Sequence, residues 1–400
     1  MISAERPENE LLICVARPAR EIAQRERVRL LLRSDLDWDY LTAMAYRHSV
    51  IPLLYYHINS VSPEAVPPQV LSRLRRRSDE NTRQSLFLTG ELCKLMDLLK
   101  TQGVHAIPFK GPTLALCAHG DVGLRQFGDL DILVHTRDVL KVKEILATEG
   151  FKPTPELTSA QEAALLRFDC AYNFGNDKNV LFDVHWNLAA PYFSYEFDVN
   201  PLWERLEPIT IGGRQLPALS PEDLLLALCL HGSTHFWERL GWISDMAGVI
   251  GRRPDIDWQL LLDNATRDGS KRMLSLGLFL ASELLAAPLP PEVLRTVQAD
   301  AMVMTLAEQV KQRLFAEEVP ISGILDGALL QLKMRERKRD RFRSGFRLAA
   351  TPRVYDWMPL PLPGWLFFLY YLLRPLRLAG KYGLKLLSGS HAGENPGKGQ

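Results

Sequence analysis

Two carboxylates two residues apart mark the stretch of this chain that is best suited to chemistry. Asp129 and Asp131 come directly before an apolar run at 132–134, and this run predicts a short buried strand. Side chains two apart on a strand point to the same face, about 7 Å from each other. Anions held so close repel, and a bound cation commonly relieves the repulsion. The spacing therefore predicts a divalent cation site at the edge of a sheet.

A third acid and an upstream turn extend the pattern. Asp183 lies in a second strand-like run, VLFDVHW at 180–186. Lys110 and Gly111 form a turn that offers an ammonium and backbone N–H groups, which suit a polyphosphate. A glycine turn, an Asp-x-Asp pair and a third acid on a later strand are what two-metal phosphoryl or nucleotidyl transfer requires. Asp129, Asp131 and Asp183 are thus the predicted metal ligands and catalytic residues.

The same residues carry a family resemblance. The combination of Lys110-Gly111, Arg125, DLDILV at 129–134 and DVHW at 183–186 resembles the uncharacterised bacterial nucleotidyltransferase family of the polymerase-beta-like superfamily. The resemblance extends to the segments 37–56 and 228–245. It implies transfer of NMP from an NTP, with release of pyrophosphate, to the hydroxyl of an unidentified acceptor, either a small molecule or a protein side chain.

The resemblance also implies roles for single residues. Two Mg²⁺ ions, or Mn²⁺ in their place, would be held by the three acids, and Lys110, Gly111 and Arg125 would bind the nucleotide. Pro112 departs from the superfamily pattern, which usually has a second small residue there, and it removes one N–H donor from the phosphate cradle.

Simpler roles remain open for several of these side chains. Lys110 can cap a strand, Arg125 can pair with an active-site acid, and Asp183 can pair with an arginine. His185 shares one strand face with Asp183, so it either lies beside the metal or packs within the sheet. The alternative function is a catalytically inactive scaffold of the same fold that binds a partner. The enzyme assignment fails if the acids do not meet, or if one is buried against a permanent cation.

Two histidines and an acid further along are a weaker candidate for a metal site. His231 and His235 stand four apart in a helical region, and Asp245 follows. No glutamate base lies between the histidines as in metalloproteases, which favours packing or substrate contact.

Composition restricts the partners and the compartment. The 400-residue chain has 48 basic and 47 acidic residues, so no overall field attracts nucleic acid. Five scattered cysteines fit buried thiols in a reducing cytoplasm. The N-terminus, MISAERPENELLICVARPAR, lacks the basic and then apolar order of a signal peptide. A cytoplasmic protein is therefore predicted, with contact at the inner membrane face left open.

The pattern of elements predicts an α+β fold, with a nucleotidyltransferase-like mixed sheet between N-terminal helices and a C-terminal helical bundle. A long helix is expected at about 69–100, strands at 106–109 and 130–134, an antiparallel pair at 168–174 and 180–186, and helices again after 208. The predicted divisions are N-terminal helices at 1–100, the α/β core at 101–215, the bundle at 216–330, a basic helix with an aromatic segment at 331–388, and a disordered tail at 389–400.

Two features of the C-terminal region stand out. The segment 333–347, KMRERKRDRFRSGFR, carries eight basic residues and two acids. Such a run is typical of a solvated helix face, and it also suits a surface that binds nucleic acid or an anionic membrane. WLFFLYYLL at 365–373 has nine uncharged residues, too few to span a bilayer, which takes about 20. This aromatic segment either docks on the protein, which we favour, or lies at a membrane surface.

Overall fold

The structure, a computed structural model, describes residues 6–18, 22–193, 197–316, 330–357 and 362–388. The predicted disordered tail at 389–400 lies outside the described residues. Within them the chain is a mixed α+β protein, in which helices precede and follow a five-stranded mixed sheet. The predicted α+β class is thereby confirmed at this coarse level.

Helices build the N-terminal part. They are α1 (Pro7–Ala16), α2 (Ile22–Leu31), α3 (Trp38–Arg47), α4 (Ile51–Val61) and α5 (Pro68–Thr101). Asp37 begins α3 by accepting a hydrogen bond from the backbone N–H of Tyr40 at 2.9 Å. The helix α5 has 34 residues, and its buried residues Leu88, Leu92, Leu95 and Leu99 recur at helical spacing. This helix was predicted within two residues at either end.

The sheet contains β1 (Ala106–Pro108), β2 (Asp129–Val134), β3 (Lys152–Thr154), β4 (Ala171–Gly175) and β5 (Leu181–His185). Their spatial order is β1-β2-β5-β4-β3, and β2 and β5 are the parallel pair. The helices α6 (Gly111–His119), α7 (Val139–Thr148) and α8 (Ser159–Phe168) connect the strands. Because β2 and β5 are neighbours, both acidic motifs lie in the middle of one sheet.

The structure differs from the predicted elements in one boundary, one additional strand and one hairpin. The expected strand at 168–174 starts later, because α8 continues to Phe168 and β4 begins at Ala171. The short strand β3 was not predicted. The stretch after 208 is not helical at first but forms a hairpin, β6 (Glu207–Ile211) and β7 (Arg214–Ala218). Gly212 and Gly213 make its turn with positive φ, which glycine adopts without steric cost.

A helical bundle follows the hairpin. It contains α9 (Pro221–Thr234), α10 (Leu240–Arg252), α11 (Trp258–Arg267), α12 (Lys271–Leu285), α13 (Pro291–Gln298) and α14 (Ala301–Leu314). Ser220 caps α9 by accepting from the N–H of Asp223. The helix α10 crosses α6 at very close range, since a Cβ on Gly248 would lie 2.4 Å from the carbonyl oxygen of Ala118. This contact holds the bundle against the sheet domain.

The C-terminal region consists of α15 (Lys338–Ala350), α16 (Val354–Trp357), a 3-10 turn at Gly364–Leu369 and α17 (Tyr370–Ser388). Phe367 packs on Trp357 and Tyr370, with ring centroids 5.4 and 4.9 Å apart, so the aromatic segment docks on the protein through one face. Arg335 is buried, and the basic run is therefore not solvated throughout. Among the described residues, no helix is both long and apolar enough to cross a membrane.

Candidate active site

The two predicted acidic motifs meet at the centre of the sheet. Asp131 on β2 and Asp183 on β5 are register partners on neighbouring parallel strands. His185, two residues beyond Asp183, faces the same way, and one ligand atom from each of the three residues lies within 4.8 Å of the others. Asp129 sits at the exposed start of β2, outside this group of three. The group is a candidate metal site formed by two strands.

Asp131 is the most enclosed of the three acids, with 3% of its surface exposed. Its Oδ1 accepts from the Lys110 ammonium at 2.7 Å and lies 3.2 Å from Nε2 of His185. Burial alone would raise the pKa of this carboxyl, but the Lys110 charge and the His185 hydrogen bond together hold it far below its ordinary value. Asp131 is therefore a carboxylate at any physiological pH.

Asp183 shares its surroundings with the other acids. Its Oδ1 accepts a hydrogen bond from Nδ2 of Asn173, its neighbour on β4, at 2.5 Å. Burial raises the pKa of Asp183, the charge of Asp131 raises it further, and Asp129 adds to the same effect. The three carboxylates are thus close enough to disfavour one another's charge, which is the condition that a cation relieves.

The side chains present fit a divalent cation, with one observation against it. Two carboxylates and an imidazole are donors that Mn²⁺ and, through the oxygens, Mg²⁺ accept. Nδ1 of His185 is buried without a hydrogen-bond partner, so this ring is not fully used by the fold. Against the metal stands the Lys110–Asp131 ion pair, in which a protein cation already neutralises one ligand. Lys110 does not merely cap the strand, since it contacts the site itself.

The glycine turn places the start of a helix beside the acids. Gly111 opens α6 with a φ of +52°, a conformation that favours glycine. A Cβ there would lie 3.4 Å from the carbonyl oxygen of Asp129, so the turn packs directly on β2. The N-terminal N–H groups of α6 carry partial positive charge next to the carboxylates, an arrangement suited to phosphate oxygens.

Arg125 is held by the helical bundle. Its Nε donates to Oδ2 of Asp245 on α10 at 3.0 Å, and Nε2 of His119 lies 3.0 Å from the other oxygen of the same carboxylate. Burial raises the pKa of Asp245, but Arg125 and His119 outweigh it and lower that pKa. Asn81 fixes the backbone by donating from Nδ2 to the carbonyl oxygens of Gly123 and Arg125. The acid that pairs with Arg125 is therefore in the bundle, not on the sheet.

The paired histidines form an aromatic cluster. The rings of His231 and His235 lie 4.6 Å apart, and each contacts Trp242, at 5.1 and 5.5 Å respectively. Burial and the nearby charge of Lys110 lower the pKa of His231, so this ring is neutral at pH 7 and lies within electrostatic range of the acids. Of the described residues, only Asp131, Asp183 and His185 gather three ligand atoms. Packing or substrate contact stays the prediction for the histidine pair.

A cavity of about 620 Å³ lies next to the segment that leads into β2. Its walls come from the end of α3, from α5, from the segment before β2 and from the α9–α10 turn. Polar and charged side chains dominate the lining, among them Arg47, Ser49, Asn81, Glu238 and Arg239. Gly128, the residue before Asp129, completes the wall nearest the acids.

The sequence locates the acids and one of their two neighbours. The period-two spacing of His185 from Asp183 predicts that both share one strand face, and the structure has His185 beside Asp131. Asp245 is grouped with His231 and His235 by sequence, whereas its partners in the structure are Arg125 and His119. Arg125 is 120 residues away, and no local pattern joins the two.

The sequence matches one protein family. A family model described as an uncharacterised nucleotidyltransferase matches residues 34–286. No curated protein and no solved structure matches the chain. Membership of this family supports nucleotidyl transfer from an NTP, and such enzymes usually use divalent metal ions. Since the match covers more than half of the 400 residues, the chain belongs to this family of uncharacterised nucleotidyltransferases.

Proposed function

We propose that this protein transfers NMP from an NTP to the hydroxyl group of an acceptor and releases pyrophosphate. The observation that carries the proposal is the register of Asp131 beside Asp183 on two parallel strands, with His185 in reach of both. Strand pairing fixes this juxtaposition, so the site is preorganised before any ligand binds.

Asp131 and Asp183 would hold a divalent cation, Mg²⁺ or Mn²⁺, and Asp129 at the open edge would help to hold a second. Such ions supply charge neutralisation along the triphosphate and a lower pKa for the attacking hydroxyl. Asp183, the register partner of Asp131 on the neighbouring strand, would also accept the proton of that hydroxyl. The N-terminus of α6 at Gly111 would receive phosphate oxygens.

Lys110 must change partner for this reaction. In the structure it neutralises Asp131, and in the proposed complex it would leave that carboxylate to a cation and bind a phosphate oxygen. The same ion pair is the observation that favours the second candidate, a scaffold of this fold without activity. The enzyme and the scaffold have the same geometry at this site. They differ in whether a metal ion can displace Lys110 from Asp131.

Arg125 would be the second phosphate ligand, positioned by Asp245 and His119. Asp245 takes the Nε side of the guanidinium, which leaves the two Nη groups for another anion. His119 holds the carboxylate from behind and so fixes its direction. In this arrangement the bundle determines the orientation of a residue that the nucleotide contacts.

The cavity beside Gly128 is the proposed acceptor site. Its volume suits a small molecule, for which pockets of about 300–1,000 Å³ are usual. Two arginines and one glutamate line it, so an acceptor that carries an anionic group as well as hydroxyls matches its charge. This favours a small hydroxylated molecule over a protein side chain as the acceptor.

The test is metal-dependent nucleotide binding. Thermal unfolding of the full chain is measured with each of the four NTPs, with and without Mg²⁺, for the wild type, Asp131→Asn and Asp177→Asn. Asp177 is an exposed acid in the turn before β5, so its variant controls for the loss of a carboxylate. We expect at least one NTP to raise the unfolding temperature only with Mg²⁺, and Asp131→Asn alone to abolish the shift.

Transfer itself is measured with α-labelled NTP and the small-molecule fraction of a cell lysate. Label should move to an acceptor with release of unlabelled pyrophosphate. If no NTP shifts the unfolding temperature and Asp131→Asn behaves like the wild type, the scaffold function replaces the enzyme.

A further inference from the structure

The 3-10 turn and helix at 364–388 have one face that is anchored to the protein. Tyr370 is buried to 1% exposure, and Phe367 packs between it and Trp357. Arg374, one turn further on, pairs with Asp356 and donates from Nη2 to the carbonyl oxygen of Leu348 at 2.9 Å. The packed aromatic rings and the buried ion pair therefore fix which face of this segment contacts the rest of the protein.

The opposite face is apolar and exposed. Trp365, Phe368, Leu372 and Leu376 follow each other at helical spacing, with 76, 60, 63 and 69% of their surfaces exposed. The neighbouring helix α15 adds two exposed rings one turn apart, Phe342 and Phe346. We call these six residues the C-terminal apolar face.

This exposure is concentrated rather than scattered. Half of the large hydrophobic side chains exposed in the described residues lie between positions 342 and 376. Single exposed apolar residues are normal on protein surfaces, whereas a group of aromatic and leucine side chains exposed on two neighbouring helices marks a binding surface. The face therefore requires an occupant.

Charge identifies the kind of occupant. The segment 337–388 has eleven Lys and Arg residues against two acids, whereas the rest of the chain has 37 basic and 45 acidic residues. One of the two acids, Asp356, is already paired with Arg374 and Arg377. The positive surplus would repel a second copy of the same face, which argues against self-association.

We propose that the C-terminal apolar face binds the surface of an anionic lipid bilayer. Aromatic and leucine side chains enter the interface between headgroups and acyl chains, as in amphipathic helices that lie in the membrane plane. Exposed cations of α15, such as Lys338, Arg339 and Arg343, meet anionic headgroups. The proposal goes beyond the nucleotidyl transfer and does not depend on it. It also explains why the aromatic segment both docks on the protein and stays exposed.

The experiment is sedimentation of the full-length protein with vesicles of phosphatidylcholine alone or mixed with phosphatidylglycerol, at low and high salt. The test variant is Trp365→Ser/Phe368→Ser/Leu372→Ser. The matched control removes three exposed apolar residues from other surfaces, Ile22→Ser/Leu30→Ser/Leu86→Ser. The charge variant is Lys338→Gln/Arg339→Gln/Arg343→Gln, and thermal unfolding verifies that every variant folds.

We expect binding to the mixed vesicles only, weakened at least about tenfold by the test variant, by the charge variant and by high salt, and unchanged in the control. As a second measurement, brominated lipids should quench tryptophan fluorescence in the wild type more than in Trp365→Phe, which keeps the face apolar. Absence of sedimentation, equal binding to neutral vesicles, equal loss in the control, or a dimer that the test variant dissociates would each overturn the proposal.

Discussion

The ammonium of Lys110 lies 2.7 Å from Oδ1 of Asp131. A metal ion that binds this carboxylate would therefore compete with Lys110. A buried ion pair of this kind is costly to break by removing one partner, because the other charge is left uncompensated. A metal ion that enters as Lys110 leaves avoids this cost. The competition gives the first prediction.

Replacing Lys110 with glutamine should tighten Mn²⁺ binding in the absence of nucleotide by about tenfold, since the competing charge is gone. The same variant should weaken binding of the Mg²⁺ complex of an NTP, because a phosphate loses its cation partner. Free Mn²⁺ is counted by electron paramagnetic resonance during titration. Weaker Mn²⁺ binding in Lys110→Gln than in the wild type would contradict the exchange of partners.

A double-mutant cycle tests whether Asp245 acts through Arg125. Arg125→Gln and Asp245→Asn should each weaken binding of a non-hydrolysable ATP analogue by about tenfold, the loss of one charged hydrogen bond. The double variant should bind no more weakly than Arg125→Gln, because Asp245 has nothing left to orient. His119→Gln, which affects only the direction of the carboxylate, should have a smaller effect. Additive losses in the double variant would show that Asp245 has a separate role.

The contact between α6 and α10 predicts opposite outcomes for two glycines of one helix. Gly248→Ala places a methyl group against the carbonyl of Ala118, and should lower the free energy of unfolding by about 2 kcal/mol or more. Gly251→Ala meets its nearest neighbour, Pro18, at 3.7 Å and should be neutral or slightly stabilising. Urea unfolding measures both. Equal effects would mean that the helices do not approach as closely as described.

His48 should make stability depend on pH. It is fully buried, and Nδ1 accepts from the backbone N–H of Leu240, joining α3 to α10. Burial lowers its pKa to about 4, with a contribution from Arg47. Between pH 6.5 and 4 the unfolded chain therefore binds a proton that the folded chain does not, and stability falls as pH falls.

The loss from this residue at pH 5 relative to pH 7 should be about 2 kcal/mol. Other groups also titrate in this range, so the test is the difference between the wild type and His48→Gln in urea unfolding at the two pH values. Glutamine keeps an acceptor but does not titrate. A variant with the same pH dependence as the wild type would remove His48 as the cause.

Local patterns predicted the elements that positioned the acids. The strand predicted at 130–134 and the long helix predicted at about 69–100 each depend on spacing within one segment, and the structure has both. The hairpin at 207–218 was missed because Pro208 and Pro217 argue against strands. In the structure the two prolines stand opposite each other in a non-hydrogen-bonded pair, where no backbone N–H is needed. The pairing of Arg125 with Asp245 depends on tertiary packing, which spacing in one sequence does not reveal.

The turn between β4 and β5 sets which residues of β5 face the acids. Oδ1 of Asn176 accepts from the backbone N–H groups of Lys178 and Val180, so this turn has a fixed number of residues. If one added residue shifted β5 by one position against β2 and β4, the two sides of the strand would be exchanged, sending Phe182 to solvent and Asp183 into the interior. The residue types of this loop can therefore change more freely than its length. A single-codon insertion there is expected to be more damaging than most substitutions.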